Sequence, residues 1–241
     1  MAVGTAEDGG TRLGFPYIGG MLQRVRNSRG RPLTAPAAFI IPCRPVVAKQ
    51  PPSGPGWAHE LKHDGYRLQI HVRDGRVRLY TMKGNDWTKR YPRVVDEASR
   101  LRAPLIIDAE VVHLSAGGVA DFDALYSRAA DEQAVALAFD LLLSGEDIRR
   151  EPLIERTKAL EWVLRKAHDG IQYVEHTEGD GAKMFAAVCK LGLEGIVSKK
   201  LNAPHHSTAL SFGLTNTTSI PVIAGLSCGP GCSTDASLAW Q

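Results

Sequence analysis

The segment of the chain with the clearest chemical potential is the octapeptide ELKHDGYR at residues 60–67. At its centre lies Lys62, with Glu60, Asp64 and Arg67 close by in sequence. A lysine amine has an unperturbed pKa of about 10.4, so it is a poor nucleophile near neutral pH. Neighbouring cations or burial can lower that pKa enough for covalent chemistry. Lys62 is therefore a candidate nucleophile, and the alternative is an exposed ionic turn, because short charged turns are common.

Acidic residues inside apolar strands are the second feature with chemical potential. Asp108 and Glu110 lie two residues apart in the apolar run 105–114, so both side chains point to the same face of a strand. Carboxylates in such a setting need a lysine, an arginine or a metal ion nearby, and the alternative is a solvated strand rim. Glu194 begins another short strand before Lys199 and is either a second functional acid or an exposed one.

Composition places wide limits on function. The chain has 241 residues, of which 44% are hydrophobic and 23% are charged, as is typical of a soluble protein with one large or two small domains. Its net charge of +3 permits a nucleic-acid partner without requiring one. The sequence has neither a long apolar run nor an N-terminal signal core, so we expect no membrane association and no secretion. Because it also lacks a Gly-rich phosphate loop, a bound nucleotide must be held in another way.

The four cysteines indicate little about function. Cys43 and Cys189 lie in apolar settings, and we expect both to be buried thiols. Cys228 and Cys232 form a close pair without a matching second pair, so they indicate a zinc site only weakly.

Hydrophobic periodicity predicts a mixture of strands and helices. The alternation at residues 66–72, the turn dipeptide at 74–75 and the run 77–80 predict a β-hairpin just after Lys62. Further strands are predicted at residues 105–114, 135–143, 171–174 and 195–198, and helices near residues 94–101, 121–125, 153–164 and 184–191. Irregular alternation together with a hairpin favours an α+β fold with antiparallel sheets flanked by helices.

Five short motifs resemble, in order, those of the nucleotidyltransferase domain of ATP-dependent DNA ligases, most closely the bacterial end-joining type. They are ELKHDGYR at 60–67, KGNDWTKRYP at 83–92, DAE at 108–110, AFDLL at 138–142 and EGIVSK at 194–199. The first matches the family pattern K-x-D-G-x-R, and the last matches E-G-x-x-x-K. The third has Ala109 where the family pattern D-G-E has glycine. The resemblance covers residues 38–204 and implies an ATP-grasp-like nucleotidyltransferase fold.

The resemblance implies that Lys62 carries the covalent chemistry. Lys62 would attack the α-phosphate of ATP and become adenylated, and the AMP would then pass to a DNA 5′-phosphate during nick sealing. Glu60 and Phe139 would hold adenine, the latter by stacking. Such a DNA ligase (ATP) would serve DNA repair and recombination.

The remaining motif residues would bind the other parts of ATP and a metal ion. Arg67 and Glu110 would contact the ribose and phosphate region, and Lys199 would balance phosphate charge. Glu194, together with Glu110, would place Mg²⁺ or Mn²⁺, a hard cation that bridges phosphate oxygens.

The sequence departs from the family at two places. Met82 stands where the second motif usually has an arginine, and losing one charge-assisted hydrogen bond costs roughly 1.5–3 kcal/mol. Residues 201–241 contain no lysine or arginine, and Asp235 is the single charged residue among them. We therefore expect a C-terminal truncation, in which the family's W-x-K-x-K motif and OB-fold domain are missing. Residues from about His205 would form a foreign or out-of-frame tail. Without the lysines of the missing motif, we expect adenylation to be slow.

The expected domain organisation has three parts. Residues 1–37 are a flexible basic extension, residues 38–204 are the adenylation domain, and residues 205–241 are a charge-poor disordered tail. The expected partners are nicked or broken double-stranded DNA and end-joining repair proteins. We expect a monomer in the bacterial cytoplasm, associated with the nucleoid.

Two other interpretations stay open. The chain could be a non-catalytic remnant that binds ATP or DNA through its basic surface. It could also be an RNA ligase or a capping-type nucleotidyltransferase, although the run GNDWT at residues 84–88 favours a bacterial DNA ligase.

Overall fold

Two β-sheets with short helices packed on them make up most of the described structure. The computed structural model describes residues 39–102, 104–167, 169–206 and 223–228. Its strands are β1 (Val46–Val47), β2 (Trp57–Lys62), β3 (Tyr66–Arg73), β4 (Arg76–Thr81), β5 (Leu105–Val112), β6 (Val135–Ser144), β7 (Glu146–Asp147), β8 (Ile171–Tyr173), β9 (Thr177–Glu178), β10 (Gly195–Lys200) and β11 (Ile223–Ser227). Its helices are α1 (Pro92–Ser99), α2 (Phe122–Tyr126), α3 (Leu153–Leu164) and α4 (Gly181–Lys190). The predicted α+β class is confirmed.

The larger sheet has the strand order β4-β3-β5-β6-β7, with β8 parallel to another part of β6. The predicted hairpin is present, since β3 and β4 pair antiparallel up to Arg73 opposite Arg76. The turn between them has positive φ at Asp74 (49°) and Gly75 (72°), which is the backbone that a two-residue hairpin requires. This short turn fixes the register of β3 and therefore the face to which its polar residues point.

The main hydrophobic core lies on one face of this larger sheet. Helices α1 and α3 pack there because their apolar residues recur at helical spacing. Fully buried members include Leu68 and Ile70 of β3, Val94 of α1 and Leu160 of α3. Asp121 caps the N-terminus of helix α2, as predicted. Its carboxylate accepts a hydrogen bond from the Ala124 amide at 3.0 Å.

The smaller sheet has the strand order β1-β11-β10-β2-β9. Its central strands β2 and β10 pair antiparallel over six residues, from Gly195 opposite Lys62 to Lys200 opposite Trp57. Helix α4 packs on this sheet, with Val188 against Ile196 and Leu226. Among the described residues, no helix has the length and apolar character that crossing a membrane requires.

Strand β2 is the longest strand that the sequence does not predict. Residues 57–60 are buried on both faces, so the strand lacks the alternation of apolar and polar residues by which a half-buried strand is recognised. The interpretation of Lys62 as part of an exposed turn is therefore wrong, because Lys62 is the last residue of this buried strand.

The charge-poor tail is ordered where it is described. Residues 223–227 form β11 between β1 and β10, so the predicted disorder does not hold for this segment, whose Ala224 and Leu226 are buried. Cys43 is a buried thiol as predicted, but Cys189 is not, because it forms a disulfide with Cys228. The basic extension at residues 1–37 and Cys232 lie outside the described residues, and Cys228, the other member of the weakly indicated zinc pair, is in the disulfide instead.

Candidate active site

The register between β2 and β10 brings the first and last sequence motifs onto one face of the smaller sheet. Glu60 lies opposite Val197, and Lys62 lies opposite Gly195. Side chains two residues apart in a strand share a face, so Glu60, Lys62 and Lys199 all point to the same side. That side faces a pocket whose other wall comes from the larger sheet.

Lys62 forms an ion pair with Glu194, the residue that precedes β10. Both side chains are mostly buried, with 15% and 11% exposure. An ion pair at this depth is screened less by water than a surface pair. The arrangement places a carboxylate against the candidate nucleophile.

A second cross-strand ion pair lies beside the first. The Lys199 Nζ is 2.6 Å from Glu60 Oε2, and both side chains are at most 7% exposed. Burial raises the pKa of the Glu60 carboxyl, although Lys199 acts in the opposite direction. The buried pair therefore presents a carboxyl group with a proton affinity above the ordinary one.

The Phe139 ring lies next to this second pair. Lys199 Nζ is 4.3 Å from the ring centroid, and the same amine donates a 3.4 Å hydrogen bond to the Phe139 carbonyl. The Arg67 guanidinium carbon lies 5.2 Å from the ring centroid. The ring is partly exposed and lines the pocket, so an aromatic base can reach it.

Arg67 is held by protein groups on the pocket wall. Its guanidinium donates two hydrogen bonds to the Asp108 carboxylate, at 3.0 and 2.7 Å, and one to the Cys43 carbonyl at 2.5 Å. The cation that the sequence predicts near Asp108 is therefore Arg67. Its contact with the ribose and phosphate region of ATP stays a prediction.

Glu110 lies in the pocket wall, opposite Arg67 in the pairing of β3 with β5. Burial raises its pKa to about 8, against the opposing effects of Arg67 and Lys62. Burial likewise raises the pKa of Asp64, which interacts with Lys62 two residues earlier. The sequence motif contained Asp64, but its role beside the amine became visible only in the structure.

Two further pocket residues were missed by sequence reasoning. Arg156 of α3 forms a bidentate pair with Asp140, at 2.8 and 3.0 Å, deep in the pocket wall. His205 lines the same pocket, and within the described residues neither ring nitrogen has a hydrogen-bond partner. Burial lowers the pKa of His205, which favours a neutral ring. Neither residue belongs to a recognisable spacing, so no sequence signal identifies them.

The described residues fit a metal ion only in combination with phosphate oxygens. No group of three or more His, Cys, Asp or Glu side chains within them is arranged to hold a cation. Mg²⁺ commonly binds one or two carboxylates together with substrate phosphates. Glu194 and Glu110, which both interact with Lys62, match that lesser requirement.

Comparison with known protein families shows the family to which the chain belongs. The family described as the ATP-dependent DNA ligase domain matches residues 47–212, which are most of the chain. The chain belongs to this family. The predicted resemblance is confirmed, and the matched segment contains every candidate site residue from Glu60 to Lys199.

Relatives include proteins of bacterial end joining. The chain is 37% identical over 175 residues to the multifunctional non-homologous end joining protein LigD of Pseudomonas aeruginosa, covering 70% of this chain and 21% of LigD. It therefore spans about a fifth of the length of that relative.

Solved structures support the same kinship. A mycobacterial DNA ligase D complexed with ATP and MES matches with a TM-score of 0.58 and 27% identity, over 76% of this chain and 59% of that one. The ligase domain of LigD from M. tuberculosis matches with a TM-score of 0.62 and 27% identity, over 77% and 58%. The predicted nucleotidyltransferase fold is confirmed by these matches.

Proposed function

We propose that this chain transfers AMP from ATP to Lys62 as the first step of DNA ligation. The observation that carries the proposal is the position of Lys62, whose amine lies in a two-sheet pocket against Glu194 and close to the Glu60–Lys199 pair. Burial and neighbouring cations favour the neutral, nucleophilic form of a lysine amine, and a carboxylate in contact with it can accept its proton.

The adenine subsite is proposed at Phe139 and Glu60. The base stacks on the partly exposed Phe139 ring, and the Glu60 carboxyl accepts or donates a hydrogen bond at its edge. Lys199, which pairs with Glu60 over the ring, would turn to a phosphate oxygen when ATP binds. Arg67 and Glu110 flank the ribose and phosphate region from the larger sheet.

In the proposed step the neutral Lys62 amine attacks the α-phosphorus of ATP. A nitrogen–phosphorus bond forms, the bond from the α-phosphorus to the bridging oxygen breaks, and pyrophosphate leaves with the electron pair. Glu194 contacts the amine and is the nearest described acceptor for its proton. A bound Mg²⁺ or Mn²⁺ would neutralise phosphate charge, held by Glu194, Glu110 and the phosphates themselves.

We further propose that the AMP passes to the 5′-phosphate of nicked or broken double-stranded DNA. The family and the end-joining relative support this acceptor. End-joining repair proteins are the proposed partners, and the proposed location is the cytoplasm. The mild positive charge of the chain is consistent with a DNA substrate.

The test is incubation of the chain with α-³²P-ATP and MgCl₂, followed by denaturing gel electrophoresis. The expected result is a labelled protein whose bond is labile to acid, as a phosphoramidate is. Lys62→Ala should abolish the label because the alanine side chain has no amine to attack ATP. Lys183→Ala, at an exposed lysine of α4, is the matched control and should be labelled like the parent chain.

Absence of label at saturating ATP, with a folded chain, would refute the enzymatic proposal. Retained ATP binding by calorimetry under those conditions would favour the non-catalytic remnant. Equal labelling with GTP would instead favour a capping-type nucleotidyltransferase.

A further inference from the structure

The disulfide between Cys189 and Cys228 joins two elements of the smaller sheet region. Cys189 lies in the last turn of α4, and Cys228 follows β11 directly. The two Cα atoms are 5.2 Å apart, and 39 positions separate the residues in sequence. The bond therefore ties the charge-poor segment to the body of the domain.

One end of this disulfide, Cys228, lies next to the residue that pairs with the candidate nucleophile. The Cys228 amide donates a 3.1 Å hydrogen bond to the Glu194 carbonyl, and the Glu194 side chain is the ion-pair partner of Lys62. Gly195 lies opposite Ser227 and so close to Leu226 that a Cβ at Gly195 would overlap the Leu226 carbonyl. The position of β11 and the position of Glu194 are thus coupled through direct backbone contacts.

Apart from the disulfide, β11 is held by its five-residue pairing with β10 and by a small apolar cluster. The cluster beneath it has three buried members, Val188, Ile196 and Leu226, with partly buried neighbours that include Cys228. On its other side β11 pairs with β1 over only two residues. A covalent link that closes a long loop removes entropy mainly from the undocked state, so it favours docking of this strand.

We propose that Cys189 and Cys228 are a thiol–disulfide exchange site whose oxidation docks β11 beside Glu194. The partner class is small disulfides and thiols, which reach both sulfurs because both cysteines are partly exposed. One protein thiolate attacks a disulfide RSSR and releases RS⁻. The second protein thiolate attacks the resulting mixed disulfide, a second RS⁻ leaves, and the two released thiolates take up the two protons. The protein is oxidised by two electrons and RSSR is reduced to two RSH.

Oxidation then has a consequence for Lys62, which rests on the proposed function. A docked β11 fixes the Glu194 backbone and with it the carboxylate that contacts the amine. Reduction leaves β11 held by noncovalent contacts alone, so the strand opens more often and constrains Glu194 less. The oxidised chain is therefore the form that adenylates Lys62 faster.

The experiment compares the full chain in oxidised and in reduced glutathione. Hydrogen exchange of the amides at residues 223–227, followed by mass spectrometry, reports the docking of β11. After reduction we expect these amides to exchange at least about tenfold faster, because the disulfide no longer opposes local opening of β11. Cys228→Ser should exchange fast in both buffers, whereas Cys232→Ser should respond like the parent chain.

Equal exchange in both buffers, or loss of the response in Cys232→Ser, would overturn the proposal. Adenylation of Lys62 is measured in the same samples, with a several-fold lower rate expected after reduction. An unchanged rate with redox-dependent exchange would overturn the coupling to Lys62. Complete lack of adenylation would refute the proposed function, while the exchange data would still decide the role of the cysteine pair.

Discussion

At the scale of single residues, the pocket is built from paired charges. Glu194 pairs with Lys62, Glu60 with Lys199, Asp108 with Arg67 and Asp140 with Arg156. Sequence reasoning predicts that carboxylates in apolar strands need cations, but it cannot assign the partners. The partners of each pair come from different elements of the chain, and their distances are fixed only when those elements pack together.

The Asp108–Arg67 pair should be the most sensitive to the loss of one member. Asp108 and Arg67 are 1% and 7% exposed, and Asp108→Asn leaves the Arg67 charge without its carboxylate. We expect a loss of about 3 kcal/mol in the free energy of unfolding, measured by urea titration with tryptophan fluorescence. Asp74→Asn, at an exposed pair in the hairpin turn, is the matched control and should change stability by less than about 0.5 kcal/mol. Similar losses in both variants would contradict the burial argument.

His71 should make stability fall at acidic pH. Burial lowers its pKa to about 4, from about 6.5 in an unfolded chain. Because the folded-state pKa is the lower one, its contribution to stability is fully present above about pH 6.5 and is lost as pH falls toward 4. In His71→Phe, which keeps an aromatic ring against Tyr80, unfolding free energy should depend less on pH in this window. His206→Gln, at an exposed histidine, should retain the dependence of the parent chain.

At the scale of elements, the pairing of β2 with β10 is what makes the site. Sequence periodicity predicts β3, β4, β5, β6 and β10 because each has a recognisable apolar pattern. It misses β2 because burial on both faces removes the alternation, and it misses β11 because a charge-poor segment without periodicity is typical of a tail. The two-residue strands β1, β7 and β9 are also missed. Because β2 and β11 both lie next to β10, the smaller sheet was the part of the fold least accessible to sequence reasoning.

Gly195 should be indispensable to this sheet. Its φ is +154°, and a Cβ there would collide with the backbone of β11 at Leu226. Gly195→Ala should lower the unfolding free energy by on the order of 2 kcal/mol or undock β11, seen as faster amide exchange at residues 223–227. Gly117→Ala is the control, because its Cβ would meet only the Ser115 hydroxyl at 3.9 Å. An unaffected β11 in Gly195→Ala would show that the strand tolerates a shift.

At the scale of the whole molecule, the two sheets meet at one pocket. The smaller sheet provides Glu60, Lys62 and Lys199, and the larger sheet provides Glu110 and Phe139. A ligand that contacts both walls stabilises the folded state in proportion to its occupancy. Nucleotide binding should therefore be visible as a stability increase of the entire domain.

A nucleotide that cannot be cleaved tests this expectation without chemistry. We expect α,β-methylene-ATP, at about 100 times its dissociation constant, to raise the unfolding free energy by about 2.7 kcal/mol. Thermal unfolding with and without the nucleotide measures the shift. Phe139→Ala should lose most of it, because the base loses its stacking surface, and Tyr126→Ala, at an exposed tyrosine of α2, should keep it. A full shift in Phe139→Ala would place the base elsewhere.

The sequence by itself determined the residue types and their order along the chain. The five ordered motifs were sufficient to predict the family, and hydrophobic periodicity with the hairpin turn was sufficient to predict the α+β class, because both signals depend on local residue spacing. The tertiary structure alone decided which charges meet, since Lys62 and Glu194 are far apart in sequence and come together only through strand register. It also decided that Arg67 is bound to Asp108, that His205 faces the pocket and that Cys189 meets Cys228, because long-range packing has no local sequence signal.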